Sequence, residues 1–173
     1  MNSQTEFSAP WGLLLKGMTA FCIVLLLGIP ATALHKTGIA GFSWGTLLPS
    51  AILIAGAFFM IRGYELRSGE LIIRRLGWST RIDLSDLQSA HIDPKAMSSS
   101  IRTCGNGGLF CFAGWFRSKK LGSYRAFATD LSNSVVLKFE KRTVVVTPGE
   151  TEEFVAALTA GIRNKTPSNA QQA

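Results

Sequence analysis

The chain has 173 residues, 47% of them apolar and 17% charged, with a net charge of +7. Once the apolar front is set aside, that length leaves one modest soluble domain and excludes a second. Three cysteines with no CxxC pair and no neighbouring histidine argue against a tetrahedral metal site and against a disulfide framework.

Two uncharged apolar runs come first, residues 17–34 and 43–61. Each is long enough as a helix to cross a hydrocarbon core of about 30 Å, and both are apolar around the whole helix, so the pair predicts a transmembrane helical hairpin. Pro30 and Pro49 fall inside the runs, where membrane helices tolerate proline. The 1–16 segment carries only Lys16 and the 35–42 loop only Lys36, whereas Arg62, Arg67, Arg74, Arg75 and Arg81 follow the second run. Basic residues near a span end stay on the cytoplasmic side. The expected protein is therefore a multi-pass protein of the inner (cell) membrane, with both ends and the soluble domain cytoplasmic. Trp11 and Trp44 lie near span ends, as interfacial indoles do. Ala31-Thr32-Ala33 has the form of a signal cleavage site, but a 16-residue leader with one cation fits a signal peptide poorly.

From Gly63 onward, helical patterning gives way to short strands broken by turn residues. Strands are expected at 64–67 and 70–76 around Ser68-Gly69, then at 80–84 and 88–92, the last stopped by Asp93-Pro94. Residues 96–108 have no usable period and are expected to form a long loop. Strands resume at 109–117, 122–129, 134–140 and 143–146. In the 134–140 strand Val135, Leu137 and Phe139 alternate with Val136, Lys138 and Glu140 as in a half-buried strand. Thr147-Pro148-Gly149-Glu150 has the form of a capping box opening one helix, whose apolar stripe is Phe154, Leu158 and Ile162. A polar tail, 164–173, follows. Domain organisation is thus expected as 1–16 N-terminal segment, 17–61 hairpin, 62–163 soluble domain and 164–173 tail.

Seven or eight short strands and one terminal helix suggest a small antiparallel barrel or sandwich with a plugged end. Gly105-Asn106-Gly107-Gly108, Gly114-Trp115-Phe116-Arg117, Leu121-Gly122-Ser123-Tyr124-Arg125, Ala128-Thr129-Asp130, and Val145-Val146-Thr147-Pro148 through Glu153-Phe154 resemble the bacterial pleckstrin-homology (PH)-like family over residues 64–162. The resemblance implies an α+β, mainly β fold: a bent antiparallel β-barrel of about seven strands capped by a C-terminal α-helix. It implies no ligand. Phosphoinositide-binding relatives in eukaryotes carry a basic signature across the first hairpin, which Arg67 to Arg75 approaches loosely, and Phe154 stands where those relatives have a helix Trp.

Two candidate sites emerge. Trp115, Phe116, Arg117, Lys119, Lys120 and Arg125 form the densest basic-aromatic cluster, suited to anionic lipid head groups and equally to a solvated hairpin. Gly105, Asn106, Gly107 and Gly108 could present backbone N–H groups as an anion nest, although a loop that needs glycine to turn explains them more simply. No GK[ST] follows, which excludes a P-loop. No nucleic-acid recognition motif accompanies the charge, and no nucleophile, base and orienting group come together, so neither nucleic-acid binding nor catalysis is expected. No cofactor and no metal are implied. The expectation is a membrane-tethered PH-like binding module that recruits a protein or anionic lipid. The alternative is a self-associating structural subunit, a homo-oligomer built through small residues such as Gly17, Ala20, Ala51 and Ala55.

Overall fold

The computed structural model describes residues 5–38, 44–67 and 69–165, with α1 (Leu13–Thr37), α2 (Trp44–Phe58) and α3 (Thr151–Lys165) as its helices. A four-stranded antiparallel sheet runs β1 (Thr5–Ser8), β2 (Ile61–Arg67), β3 (Glu70–Arg75), β4 (Ser79–Asp83). The second sheet uses β5 (Leu87–Ile92), β6 (Ile101–Gly107), β7 (Phe112–Ser118), β8 (Gly122–Ala128), β9 (Val135–Phe139) and β10 (Thr143–Val146). Its order is β5-β9-β10-β8-β7-β6, antiparallel except where β10 lies parallel to β8.

Two cores follow from two-sided burial of the second sheet. Between the sheets, Tyr64, Leu71, Ile73, Phe127, Val135, Leu137 and Val146 pack with Phe154 and Leu158 of α3. On the opposite face, Phe112, Phe116, Tyr124, Ala126, Val136 and Val145 are covered by Trp11, Leu15, Ala96 and Met97. This corrects the half-buried strand expected at 134–140: Val135, Val136 and Leu137 are all fully buried, because an uninterrupted apolar run needs cover on both faces. Along α3, Phe154 and Leu158 form the expected stripe, whereas the Ile162 side chain and residues 166–173 lie outside the described residues.

Several other expectations are corrected. The sheets do not close into a barrel, because among the described residues no ladder links them: β5 pairs with β9 rather than β4, and β6 ends the second sheet. Part of the expected 96–108 loop is β6, which pairs with β7 despite its lack of apolar alternation. It is an edge strand exposed along most of its length, so no buried face was needed to write a period into it. The capping box does not form at Thr147, and α3 starts at Thr151. The Thr147 Oγ1 instead accepts from the buried Thr129 N–H at 2.8 Å, and Glu150 accepts from Ser8. Finally, only α1 is long and apolar enough to cross a membrane among the described residues. The 15 residues of α2 reach about 22 Å. That helix ends at Phe58, and after the tightened bonds Phe59 N–H to Gly56 O and Met60 N–H to Ala57 O, Ile61 already opens β2.

Residues before α1 contribute to the fold directly. β1 pairs with β2 from Thr5↔Leu66 to Ser8↔Gly63, and Phe7 enters the inter-sheet core. The Gly12 N–H then donates to the Thr129 carbonyl at 3.1 Å, delivering Leu15 to the outer core.

Candidate functional site

Both helices are anchored firmly where they meet the domain. In the first turns of α1, Leu15 is fully buried, and the Thr19 hydroxyl donates to the Gly108 carbonyl at 3.0 Å while accepting from the Phe110 N–H at 3.1 Å. At the end of α2, Trp78 Nε1 donates to the Phe58 carbonyl at 2.8 Å, and Arg75 Nη1 and the Cys111 thiol donate to the Phe59 carbonyl at 2.8 and 3.2 Å. These are carbonyls a helix end leaves without intrahelical partners, and a cation there also meets the negative end of the helix dipole. A Cβ on Gly56 would collide with the Leu109 side chain, so α2 sits directly against the β6–β7 turn.

Beyond Thr19, α1 turns apolar side chains outward: Phe21 is 61% exposed and Val24 69%, with Leu25, Leu27 and Ile29 also exposed. Leu48, Ile52, Ile54 and Phe58 do the same on α2, which packs beside α1. The Trp44 side chain and the 39–43 part of the expected outer loop lie outside the described residues. Trp11 is partly buried against the outer core, with its ring 6.2 Å from that of Phe110.

The basic-aromatic cluster is divided by the β7–β8 hairpin. Trp115 and Arg125 are cross-strand partners and both are exposed, whereas Phe116 faces the outer core and stacks on Tyr124 at 5.9 Å. Arg117, Lys119 and Lys120 lie toward the hairpin tip, and Lys120 pairs with Asp93 at 2.5 Å. That contact, chiefly its hydrogen bond, holds the Asp93 carboxyl below the usual carboxylate range. Seven residues of β7 separate the tip from the turn that touches the helices, about 23 Å of strand.

The glycine loop is placed differently from a free nest. Gly105, Asn106 and Gly107 belong to β6, and the Gly108 N–H donates to the Cys111 carbonyl at 3.1 Å. Gly105 and Gly114 are register partners at φ +111° and +146°, and a Cβ on either would strike the opposing backbone. Asn106 closes the turn, its Oδ1 accepting from the Leu109 N–H at 3.1 Å.

In the sequence Arg75 fits a head-group contact and a loose basic hairpin signature, but topology alone already explains it; the structure gives it the most unusual environment of the basic residues described. It is 7% exposed, with its guanidinium 4.6 Å from the Trp78 ring centroid, 5.4 Å from Phe127 and 5.8 Å from Phe59. Arg125 lies 4.8 Å from the same Phe127 ring. Burial first, and the Arg125 charge after it, pull the Arg75 pKa down. The one sequence signal was a cation three residues before a turn Trp, Arg75-Leu76-Gly77-Trp78.

Residues 62–162 match the bacterial PH domain family. The chain belongs to that family. The matched PH domain therefore begins in β2, just after α2, and runs into α3, leaving β1 and both apolar helices outside the match. No curated protein and no solved structure matches the chain. Among the described residues of the PH domain, no group of three or more His, Cys, Asp or Glu side chains is arranged to hold a metal.

Proposed function

We propose that this chain is a membrane-anchored PH domain acting as a non-catalytic binding module on the cytoplasmic face, where it recruits an anionic lipid or a protein. The observation that carries this reading is the exposed apolar surface of α1. A 25-residue helix about 37 Å long starts inside the domain and then presents uncovered Phe, Val, Leu and Ile, a surface that water penalises and a bilayer accepts. The start of α1 and the end of α2 both lie against the domain, and of the two helices only α1 has spanning length. Arg62, Arg67, Arg74 and Arg81 on the domain favour the cytoplasmic side. Because the helix ends are clamped, the PH domain is held in a set orientation rather than on a flexible tether.

On this reading Trp115, Arg117 and Arg125 form the binding face, with Lys119 and Lys120 reaching outward at the hairpin tip. The test is alkaline carbonate extraction of membranes containing the full chain, combined with protease protection of the PH domain in inside-out vesicles. Retention in the pellet with cleavage from the cytoplasmic side is expected; release into the supernatant would overturn the anchor.

Self-association is the second reading. A Cβ on Gly17 or Gly28 would meet nothing within 4 Å, and Ala20, Ala51 and Ala55 are exposed, so small residues on both helices are open to another helix. Particle mass in detergent decides it, and a monomer at every concentration rejects it.

A further inference from the structure

We propose that Arg75 and Arg125 form a site for a phosphate-class anion at the mouth between the two sheets, beside the end of α2. This deepens the membrane-anchored binding reading and rests on it.

The first observation is a buried cation without a counter-charge. Arg75 closes β3 at 7% exposure, and no carboxylate pairs with it among the described residues. One guanidinium N–H is spent on the Phe59 carbonyl, and Nε is buried with no acceptor. The neighbouring Cys111 thiol supplies no negative charge, since burial pushes its pKa up to about 11. The α2 terminus offers half a charge at most. Three aromatic faces offset part of the cost, but a ring quadrupole cannot replace a counter-ion.

The second observation is another cation beside the first. Arg125 approaches the Phe127 ring that Arg75 also approaches, and it too has no carboxylate partner among the described residues. Its cross-strand neighbour is Trp115, 50% exposed. Two unneutralised guanidiniums around one phenyl ring repel each other, and a folded chain keeps such an arrangement at a cost in stability. An anion with several oxygens removes that cost by accepting from both planar donor forks at once, which phosphate geometry suits. Arg125 and Trp115 provide the open side of the site. The Phe58–Phe59 end of α2 brings it to the level at which the helix leaves the domain, within reach of a lipid phosphate. The site is separate from the Lys119–Lys120 tip, which lies at the other end of β7.

The experiment uses the full chain in a neutral detergent. Its thermal unfolding midpoint and binding isotherms are measured with inorganic phosphate and with a short-chain phosphatidylglycerol, against chloride at equal ionic strength. At least one phosphate-bearing probe is expected to raise the midpoint, and Arg125→Gln is expected to weaken its binding tenfold or more. Lys141→Gln, an exposed charge change elsewhere, should stay within twofold. Without ligand, Arg125→Gln should raise the midpoint, because it removes the repulsion, whereas loss of a merely structural contact would lower it. Phosphatidylglycerol binding at least 100-fold more tightly than phosphate identifies a lipid head group as the source; comparable binding identifies free phosphate. No stabilisation by either probe, or equal weakening by Arg125→Gln and Lys141→Gln, overturns the site. Carbonate extraction does not depend on Arg125, so failure here leaves the anchor standing, and failure of the anchor leaves phosphate binding measurable.

Discussion

Phe7 and Phe154 meet edge to face, with ring centroids 5.0 Å apart and planes at 86°, joining the first strand to the last helix. Tyr64 packs on the same Phe154 ring at 6.3 Å. Ser8 adds polar contacts, its N–H and hydroxyl both donating to the Glu150 carboxylate. The hydrophobic plug of the PH domain thus includes a residue from outside the family match, on the far side of both apolar helices.

Replacing Phe7 by alanine should cost about 3–5 kcal/mol, the usual penalty for emptying a buried phenyl site. Guanidinium unfolding of the full chain in detergent measures it. A change below about 1 kcal/mol would mean that β1 is not part of the folded core.

Gly114→Ala should disrupt the β6–β7 ladder. Its φ of +146° lies outside the range alanine favours, and the added Cβ would press into the Cys104 carbonyl. A loss of 2 kcal/mol or more is expected. Amides of Ile101–Gly107 should lose hydrogen-exchange protection first, while Val135–Leu137 keep theirs. Uniform loss across both strands would contradict a local effect.

Trp78→Phe keeps an aromatic face for Arg75 and removes the bond to the Phe58 carbonyl. The expected cost is about 0.5–1.5 kcal/mol. Hydrogen exchange should quicken at Met60 and Ile61, where α2 passes into β2, with the second sheet unchanged. Unchanged exchange there would show that the indole does not hold the helix end.

Much of the β-order was readable in the sequence, since β2 to β5 and β7 to β10 lie between turn residues such as Ser68-Gly69, Gly77, Asp93-Pro94 and Lys141-Arg142. β1 and β6 did not, for two physical reasons. β1 is four residues long with a single buried side chain, Phe7, too little to make a period. β6 is an exposed edge whose geometry depends on the approach of Gly105 to Gly114, which no local pattern encodes. Thr147 and Glu150 satisfied a helix-capping pattern, but Thr129 and Ser8, distant in sequence, claimed both side chains. Trp115, Arg117 and Arg125 were legible as a cluster because they lie on one hairpin. The pairing of Arg75 with Arg125 was not, because it arises only when the two sheets face each other across Phe127.

The clearest pH dependence should come from Tyr64. Its hydroxyl donates to the Phe127 carbonyl at 2.7 Å and lies 3.3 Å from the Thr147 Oγ1, fully enclosed, and burial pushes its pKa from 10.0 up to about 12. A pKa raised by folding means that the neutral form is favoured in the native state. Its stabilising contribution is therefore complete below pH 10 and is lost as pH rises through 12. Two pKa units correspond to about 2–3 kcal/mol across that window. Cys111 acts in the same direction from 9.0 to about 11, so the fall begins near pH 9. Tyr64→Phe should destabilise the protein by about 1–3 kcal/mol at pH 7, by leaving the Phe127 carbonyl and the Thr147 N–H short of a partner. The variant should then lose less stability than wild type between pH 10 and 12. Unfolding midpoints of both proteins from pH 7 to 12 measure the difference, and parallel curves would show that Tyr64 ionises as freely in the folded chain as in water.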